Sequence, residues 1–354
     1  MTMLRVHRWL MGAALVAAGL ASGGHAHAAA QGTSGGGGTT SEGGEGAVTE
    51  VKKDKPAGEE ANEAEEKNVE IVLDAVIGSA ATDVLTQTQP TLNGAPPVGV
   101  MSNSRVTTES FIFGGSWEIL HGLAFGVRIP FTAGEIQNSD YSRGHAGFGN
   151  LEPEVEGEVR LAEKLTLQLG LGVALPTAQG SNNNATIAGT YDQAALDVGA
   201  IQRAAAAARG FEDDALFTPK YVGIVPRLKL KFEDTGKWHV DVWAKLENMI
   251  ADQTLGHDVV YGDNPPSYIG ELVFGGAAGY NVTKEIEPAL RIWANAPLSG
   301  AEPAFNTVIA VVEPQLRFHL GDYTPVIGGI LPIAGELATP KYAGGIRLAL
   351  AGRF

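Results

Sequence analysis

No cysteine occurs in the 354 residues, so the chain has no disulfide frame, no thiol chemistry and no acylation site for a lipid anchor. Basic residues are scarce: 25 Lys and Arg stand against 40 Asp and Glu, a formal charge of −15. So acidic a surface repels polyphosphate and argues against a nucleic-acid partner. Beyond Leu20 no stretch offers the 18 or so consecutive apolar residues of a membrane helix. Such a chain can reside in a membrane only as a closed barrel, because lipid cannot satisfy a bare sheet edge. Also missing are a metal-ligand spacing, a Gly-rich phosphate loop and a Ser placed to work with His239 or His319, which stand alone on separate strands. No catalytic group, cofactor or metal is therefore expected, and the chain does not read as an enzyme.

What the chain does have is glycine, 47 in all, and 44 % apolar residues, a composition suited to turns and close-packed strands. Its length could hold two average domains, but all-β barrels run long as single units. Arg5 and Arg8 precede an apolar run from Trp9 to Leu20, with Ala26-His27-Ala28 or Ala28-Ala29-Ala30 behind it. That is the layout of an export signal over residues 1–28, cleaved after 28 or 30. Residues 31–67 hold Gly35 to Gly38, then nine acids against four bases, with almost no large apolar side chain. Such a segment cannot bury enough surface to fold alone and is expected to be a flexible acidic periplasmic tail.

From residue 68 to residue 354 the apolar period is two. Val69, Ile71, Leu73, Ala75 and Ile77 alternate with Glu70 and Asp74, which places the two sets on opposite strand faces. Leu151 to Leu161 puts Glu152, Glu154, Glu156, Glu158 and Arg160 on one face, and Leu165 to Leu175 follows as its antiparallel partner. Arg105–Ser116 resists assignment, because Phe111 and Phe113 share a face with Arg105 and Glu109. About twelve strands result, an even number as in bacterial outer-membrane barrels. Links near 117–121, 162–164, 234–237, 283–285 and 321–322 are tight, whereas those near 80–103, 133–146, 177–217 and 251–267 are long. Short periplasmic turns and long outer loops give that asymmetry. Within the longest link, Ala-rich Asp192–Arg209 opens on a capping Asp and ends at Gly210, which predicts a helix. That helix either folds into the mouth as a constriction or belongs to an outer loop.

The expected fold is all-β: a transmembrane antiparallel up-and-down β-barrel over 68–354, preceded by a disordered tail. Its charged face must look inward, since one mid-membrane Arg or Lys turned to lipid costs about 2–4 kcal/mol. The predicted lumen lining is Glu152, Glu154, Glu156, Glu158, Arg160, Arg227, Lys229, Lys231, Asp241, Lys245, Arg291, Arg317 and Arg347. Small inward residues such as Gly126, Gly170, Gly172, Gly279 and Gly345 should leave room between them. Opposed acidic and basic walls would make a selective pore, whereas charges that pair would merely fill it. Glu70 and Asp74 on the first strand are placed to meet Arg347 and Arg353 on the last and so close the cylinder. Trp117, Phe232, Trp238, Tyr280, Phe318 and Phe354 all abut tight turns, as a periplasmic aromatic girdle would.

Two resemblances add to this reading. The final strand alternates Tyr342, Gly344, Ile346, Leu348, Leu350, Gly352 and Phe354 with small and cationic residues, and resembles the C-terminal signal of bacterial outer-membrane barrels. Gly147-Phe148-Gly149-Asn150-Leu151 opening a strand, and Leu169-Gly170-Leu171-Gly172-Val173-Ala174-Leu175-Pro176-Thr177 closing the next, resemble the meta-pathway phenol-degradation or putative-transporter type of outer-membrane barrel, over about Arg105–Leu255. Asn150 stands where that pattern usually has Asp, and Ala178 where a Gly usually follows Pro-Thr. The resemblance implies passage of small hydrophobic or aromatic compounds. The expected partners are outer-membrane lipid, the barrel-assembly machinery acting on the strand that ends at Phe354, and a small solute. The expected function is passive diffusion through a narrow charged lumen in the outer membrane of a Gram-negative bacterium. The alternative is a structural or adhesive barrel with a blocked lumen and functional loops.

Overall fold

A computed structural model describes residues 68–81, 105–137, 142–180, 186–187, 190–191, 193–234, 236–251, 267–299, 307–338 and 343–354. The export signal, its cleavage site, the 31–67 tail and the capping Asp192 lie outside these residues. Strands β1 (Val69–Ala81), β2 (Arg105–Leu120), β3 (Leu123–Gln137), β4 (Ser142–Phe148), β5 (Glu152–Ala162) and β6 (Leu165–Ala174) form the first half. A two-residue hairpin, β7 (Thr186–Ile187) and β8 (Thr190–Tyr191), precedes helices α1 (Gln193–Ala208) and α2 (Asp214–Phe217). The second half comprises β9 (Tyr221–Asp234), β10 (Trp238–Ala251), β11 (Tyr268–Tyr280), β12 (Ile286–Ser299), β13 (Ile309–Phe318), β14 (Tyr323–Ala334) and β15 (Gly344–Arg353).

Twelve of these strands close an antiparallel barrel in the order β1-β2-β3-β5-β6-β9-β10-β11-β12-β13-β14-β15, with β4 as a thirteenth strand on β3. The seam pairs Glu70 with Arg353 and Leu73 with Leu350. It ends where Val69 N donates to Phe354 O at 3.1 Å and Phe354 N returns a bond to Val69 O at 2.9 Å. The expected salt bridges form across it: Arg353 lies 2.9 Å from Glu70 and Arg347 lies 3.3 Å from Asp74.

One face of each of the twelve barrel strands is mainly apolar and turned outward, as with Leu171 opposite Val155 and Leu228 opposite Leu169. The strand that resisted assignment is now explained. On β2, Phe113 and Trp117 are exposed, while Val106, Ile112 and the small Ser110 are buried inside. The long link expected at 133–146 is a correction. β3 continues to Gln137 and β4 begins at Ser142, so most of that stretch is ladder, with Phe131 paired to Phe148. The strand predicted from Leu151 also starts one residue later, because the chain breaks at Gly149–Leu151 between β4 and β5.

The barrel interior has two storeys. At the end away from the tight turns it is packed solid by Val76, Val106, Ile136, Ile309, Val311 and Ile330, closed around Ile201 and Ala204 to Ala208 of α1. Towards the tight turns the same inward positions carry charges. The segment from α1 to α2 occupies the upper storey, and its tip marks the boundary.

Candidate functional site

Helix α1 lies inside the barrel, against the inner faces of β1 to β4. Four inward glycines make that possible. A Cβ added at Gly78 would stand 2.6 Å from Ala208 Cβ, and one at Gly147 would stand 2.8 Å from Val198 Cγ1. At Gly134 it would meet Ile201 Cγ2 at 3.0 Å, and at Gly345 the Ala208 carbonyl at 3.2 Å. The helix carries alanine where the wall carries glycine, so its backbone comes close without a gap. Its buried Asp197 is held by Arg143 at 3.0 Å and His145 at 3.2 Å, both on β4.

At the foot of α1 the chain reverses through Gly210 (φ 65°) and Phe211 (φ 52°). Gly210 is pressed against the wall: a Cβ there would meet Val311 at 2.7 Å and Trp293 at 2.9 Å. Trp293 Nε1 donates to Gly210 O at 3.1 Å, and Asn295 Nδ2 to Phe211 O at 3.0 Å. The return leg is secured by Asn150, fully buried in the strand break. Its Nδ2 donates to Ala215 O at 2.8 Å and Thr218 O at 2.7 Å, while its Oδ1 accepts from Ala178 N at 2.9 Å.

The reversal drives two adjacent carboxylates, Glu212 and Asp213, into a ring of cations on four strands. Glu212 is bridged by Arg291, which touches Oε1, and Arg347, 2.9 Å from Oε2. Asp213 accepts from Arg128 at 2.7 Å and Lys245 at 3.3 Å. Arg209, the last residue before Gly210, completes the anchor with bonds to Ser110 at 2.9 Å and Asp74 at 2.7 Å. Burial works to raise the Glu212 pKa, but Arg291 and Arg347 outweigh it and hold the carboxyl down at about 2. Asp213 is likewise held well below the usual carboxylate range, burial being overcome by Arg128, Lys245 and Arg209.

Every charged residue picked from the sequence as lumen lining sits on an inward face, but the walls are not opposed. Glu152 and Glu154 on β5 pair with Arg227 on β9, and Glu158 reaches Lys231 at 3.3 Å, all across β6. β6 permits this because its inward residues there are small. A Cβ at Gly172 would lie 2.8 Å from Glu152 Cδ and 3.0 Å from Arg227 Nη1. Acid and base thus zip along one wall, a correction to the expected arrangement. The small inward residues divide: Gly126 is covered by Glu154, Gly345 by α1 and Gly279 by His239, whereas Gly170, Ala277, Ala349 and Ala351 line open lumen.

The remaining residues also lie in pairs. Glu156 accepts from Gln168 at 2.8 Å, and Lys229 meets Asp241 at 2.8 Å. Lys245 lies 2.8 Å from Glu247, Arg291 2.8 Å and Arg347 2.9 Å from Glu313, and Arg317 3.2 Å from Glu287. Arg160 lies at the tight-turn mouth and bonds the carbonyls of Ala162 and Glu163. Trp117, Phe232, Trp238, Tyr280 and Phe354 are exposed on the outer face beside the tight turns, with Phe318 half-buried there. The sequence reading did not pick out Glu212, Asp213, Arg128, Arg209 or Glu313. Its one available signal was the run of three acids, Glu212-Asp213-Asp214, that follows Gly210 and Phe211 at the end of the Ala-rich stretch.

Below the tip lies a cavity of about 650 Å³, ringed by Arg128, Arg227, Arg291 and Arg347, with Val72, Val326, Ala349 and Ala351 also in its wall. A second cavity of about 910 Å³ continues towards the tight turns, with Glu70, Glu156, Gln168 and Lys229 in both walls. The lumen is therefore roomy below the inserted segment and filled above it.

No protein-family model and no curated protein sequence matches the chain. Among solved structures it is similar to the COG4313 outer membrane channel from Pseudomonas putida F1, at 14 % identity and a TM-score of 0.49 over 81 % of this chain and 96 % of that one. It is also similar to the NanC porin (11 %, 0.42, covering 80 % and 98 %) and to the CymD monoaromatic hydrocarbon channel (9 %, 0.38, covering 81 % and 89 %).

Proposed function

We propose that this chain is an outer-membrane channel passing small solutes by passive diffusion, held shut by residues 193–220 seated inside its barrel. The apolar outer face supports residence in lipid, since an antiparallel barrel exposing Leu, Ile, Val and Phe on one side of every strand has no aqueous counterpart for that skin. The observation that carries the channel reading is the contrast between storeys. A barrel meant only as a solid pillar would be filled throughout, yet below the Glu212–Asp213 tip two adjoining cavities remain, lined by charge. What fills the upper storey is a single insertion whose tip is fixed by ion pairs, and ion pairs can exchange for water. Hydrophobic or aromatic compounds, which the family resemblance implies, would meet apolar wall at Trp243 and Ala277 and along the strip of Val72, Val326, Ala349 and Ala351.

The chain's lack of cysteine makes a clean test. Gly147→Cys with Val198→Cys puts two thiols within disulfide reach, between β4 and the helix. Single-channel conductance in a planar bilayer should be absent with the pair oxidised and appear on reduction. The complete burial of Ala204 to Ala208 favours the second reading, a permanently blocked barrel with functional loops. Silence at every voltage, oxidised or reduced, would establish that reading and discard the channel.

A further inference from the structure

We propose that Arg128, Lys245, Arg291 and Arg347 form a binding site for a small organic dianion, and that Glu212 and Asp213 occupy it as a built-in competitor. The proposal deepens the channel reading and rests on it in one respect, that the tip can leave its seat. Two carboxylates one residue apart are received by four cations from four strands, Glu212 by a pair of guanidiniums and Asp213 by Arg128 and Lys245. The wall gives these cations only shared acids: Glu313 serves both Arg291 and Arg347, Glu152 both Arg128 and Arg227, while Glu247 meets Lys245 and Asp74 meets Arg347. With the tip gone, all four cations lose their Glu212 or Asp213 bond at once, and guanidinium pairs recognise carboxylates in a fixed planar geometry. The site opens on the cavity of about 650 Å³, room for a small molecule, and the strip of Val72, Val326 and Ala349 gives a short carbon chain an apolar surface.

The probe is succinate, with uncharged succinamide as control, added to the full chain in detergent micelles. Binding is read by calorimetry and by tryptophan fluorescence, because Arg291 lies 5.1 Å from the Trp243 ring and 5.3 Å from that of Trp293. Glu212→Gln with Asp213→Asn should tighten succinate binding at least tenfold over the unchanged chain and leave succinamide without effect. Adding Arg291→Gln and Arg347→Gln should weaken it at least tenfold again. Should that combination fail to fold, Arg347→Lys keeps the charge but loses the bidentate fork, and an intermediate weakening is expected. Equal affinity in the unchanged and tip variants, or affinity untouched by the arginine changes, would overturn the proposal. Binding is measured without current, so a barrel that binds succinate yet never conducts sinks only the channel. One that conducts but ignores succinate sinks only the anion site.

Discussion

Arg347 on the last barrel strand donates to Glu212 Oε2 at 2.9 Å, across 135 residues of sequence, while its other nitrogens reach Glu313 and Asp74. One guanidinium therefore ties together the seam, the neighbouring wall and the inserted segment. Removing it would loosen the closure of the cylinder and the seat of the plug together, which is why the two cannot be separated by mutating Arg347 alone. Glu212 offers the cleaner handle, since it belongs to the insertion only.

Acid should open the barrel. The groups facing Glu212 are Arg291 on β12, Arg347 on β15, Lys245 on β10 and the adjacent Asp213. Seating lowers its pKa from 4.5 to about 2, so the ion pair contributes fully above the undocked value and is lost as pH falls through the docked one. Conductance should rise as pH is lowered from about 5 towards about 2, the window set by those two values. In Glu212→Gln that acid step should shrink and the resting conductance at neutral pH should be higher. A variant with the same acid response as the unchanged chain would place the gate elsewhere.

Asn150 secures the return leg through contacts that only an amide can make. An amide can donate to two carbonyls, Ala215 O and Thr218 O, and still accept from Ala178 N. An ionised carboxylate can donate to neither. Asn150→Asp leaves buried acceptors unsatisfied beside a new charge, at a cost of about 3 kcal/mol to the return leg. Hydrogen exchange of residues 211–220 should accelerate about a hundredfold, with barrel-strand amides unchanged. Unchanged protection there would mean that Asn150 does not hold the plug.

The cylinder was legible in the sequence because an apolar outer face and a charged inner one impose a period of two, and Glu70, Asp74, Arg347 and Arg353 could be matched across the seam by spacing alone. The plug's destination was not. Ala204 to Ala208 is apolar all round and fits any buried place, and the glycines that receive it, Gly78, Gly134, Gly147 and Gly345, lie on four strands far apart in sequence. The same insertion explains why Arg105–Ser116 defied assignment. Where protein fills the barrel, inward positions such as Val106 and Ile112 become apolar too, and alternation fades. The zipped wall was hidden for a related reason: it depends on Gly170 and Gly172 of an intervening strand, which strand patterns treat as blanks.

Arg227 closes that zipper by reaching both Glu152 and Glu154. Arg227→Met removes the charge but keeps most of the stem, so packing is preserved while Glu152, only 1 % exposed, loses its nearer partner. Arg128 remains 3.4 Å away, which limits the damage to about 3 kcal/mol, the low end for breaking a buried pair. The midpoint of guanidinium unfolding in lipid vesicles should fall with its slope unchanged. Changing Glu152→Gln in the same chain should recover part of the loss, because the stranded charge is then gone. Failure of that rescue would show that Arg227 acts by packing.

The outer tryptophans test the lipid skin directly. Trp117 and Trp238 are 59 % and 52 % exposed on the outer face beside the tight turns, whereas Trp293 is 1 % exposed and lies inside. Trp238 also packs against Tyr280 with the rings tilted and their centroids 4.6 Å apart, an aromatic pair of the kind that settles at a membrane interface. Bromine quenches indole only at contact, so lipids brominated near the headgroup should quench Trp117 and Trp238 more strongly than lipids brominated at the chain ends. Trp243 and Trp293, shielded by the wall, should respond to neither and can be isolated by changing both outer residues to Phe. If the outer pair were quenched only by a water-soluble agent, the apolar face would be covered by protein, and the barrel would have to find another partner for its skin.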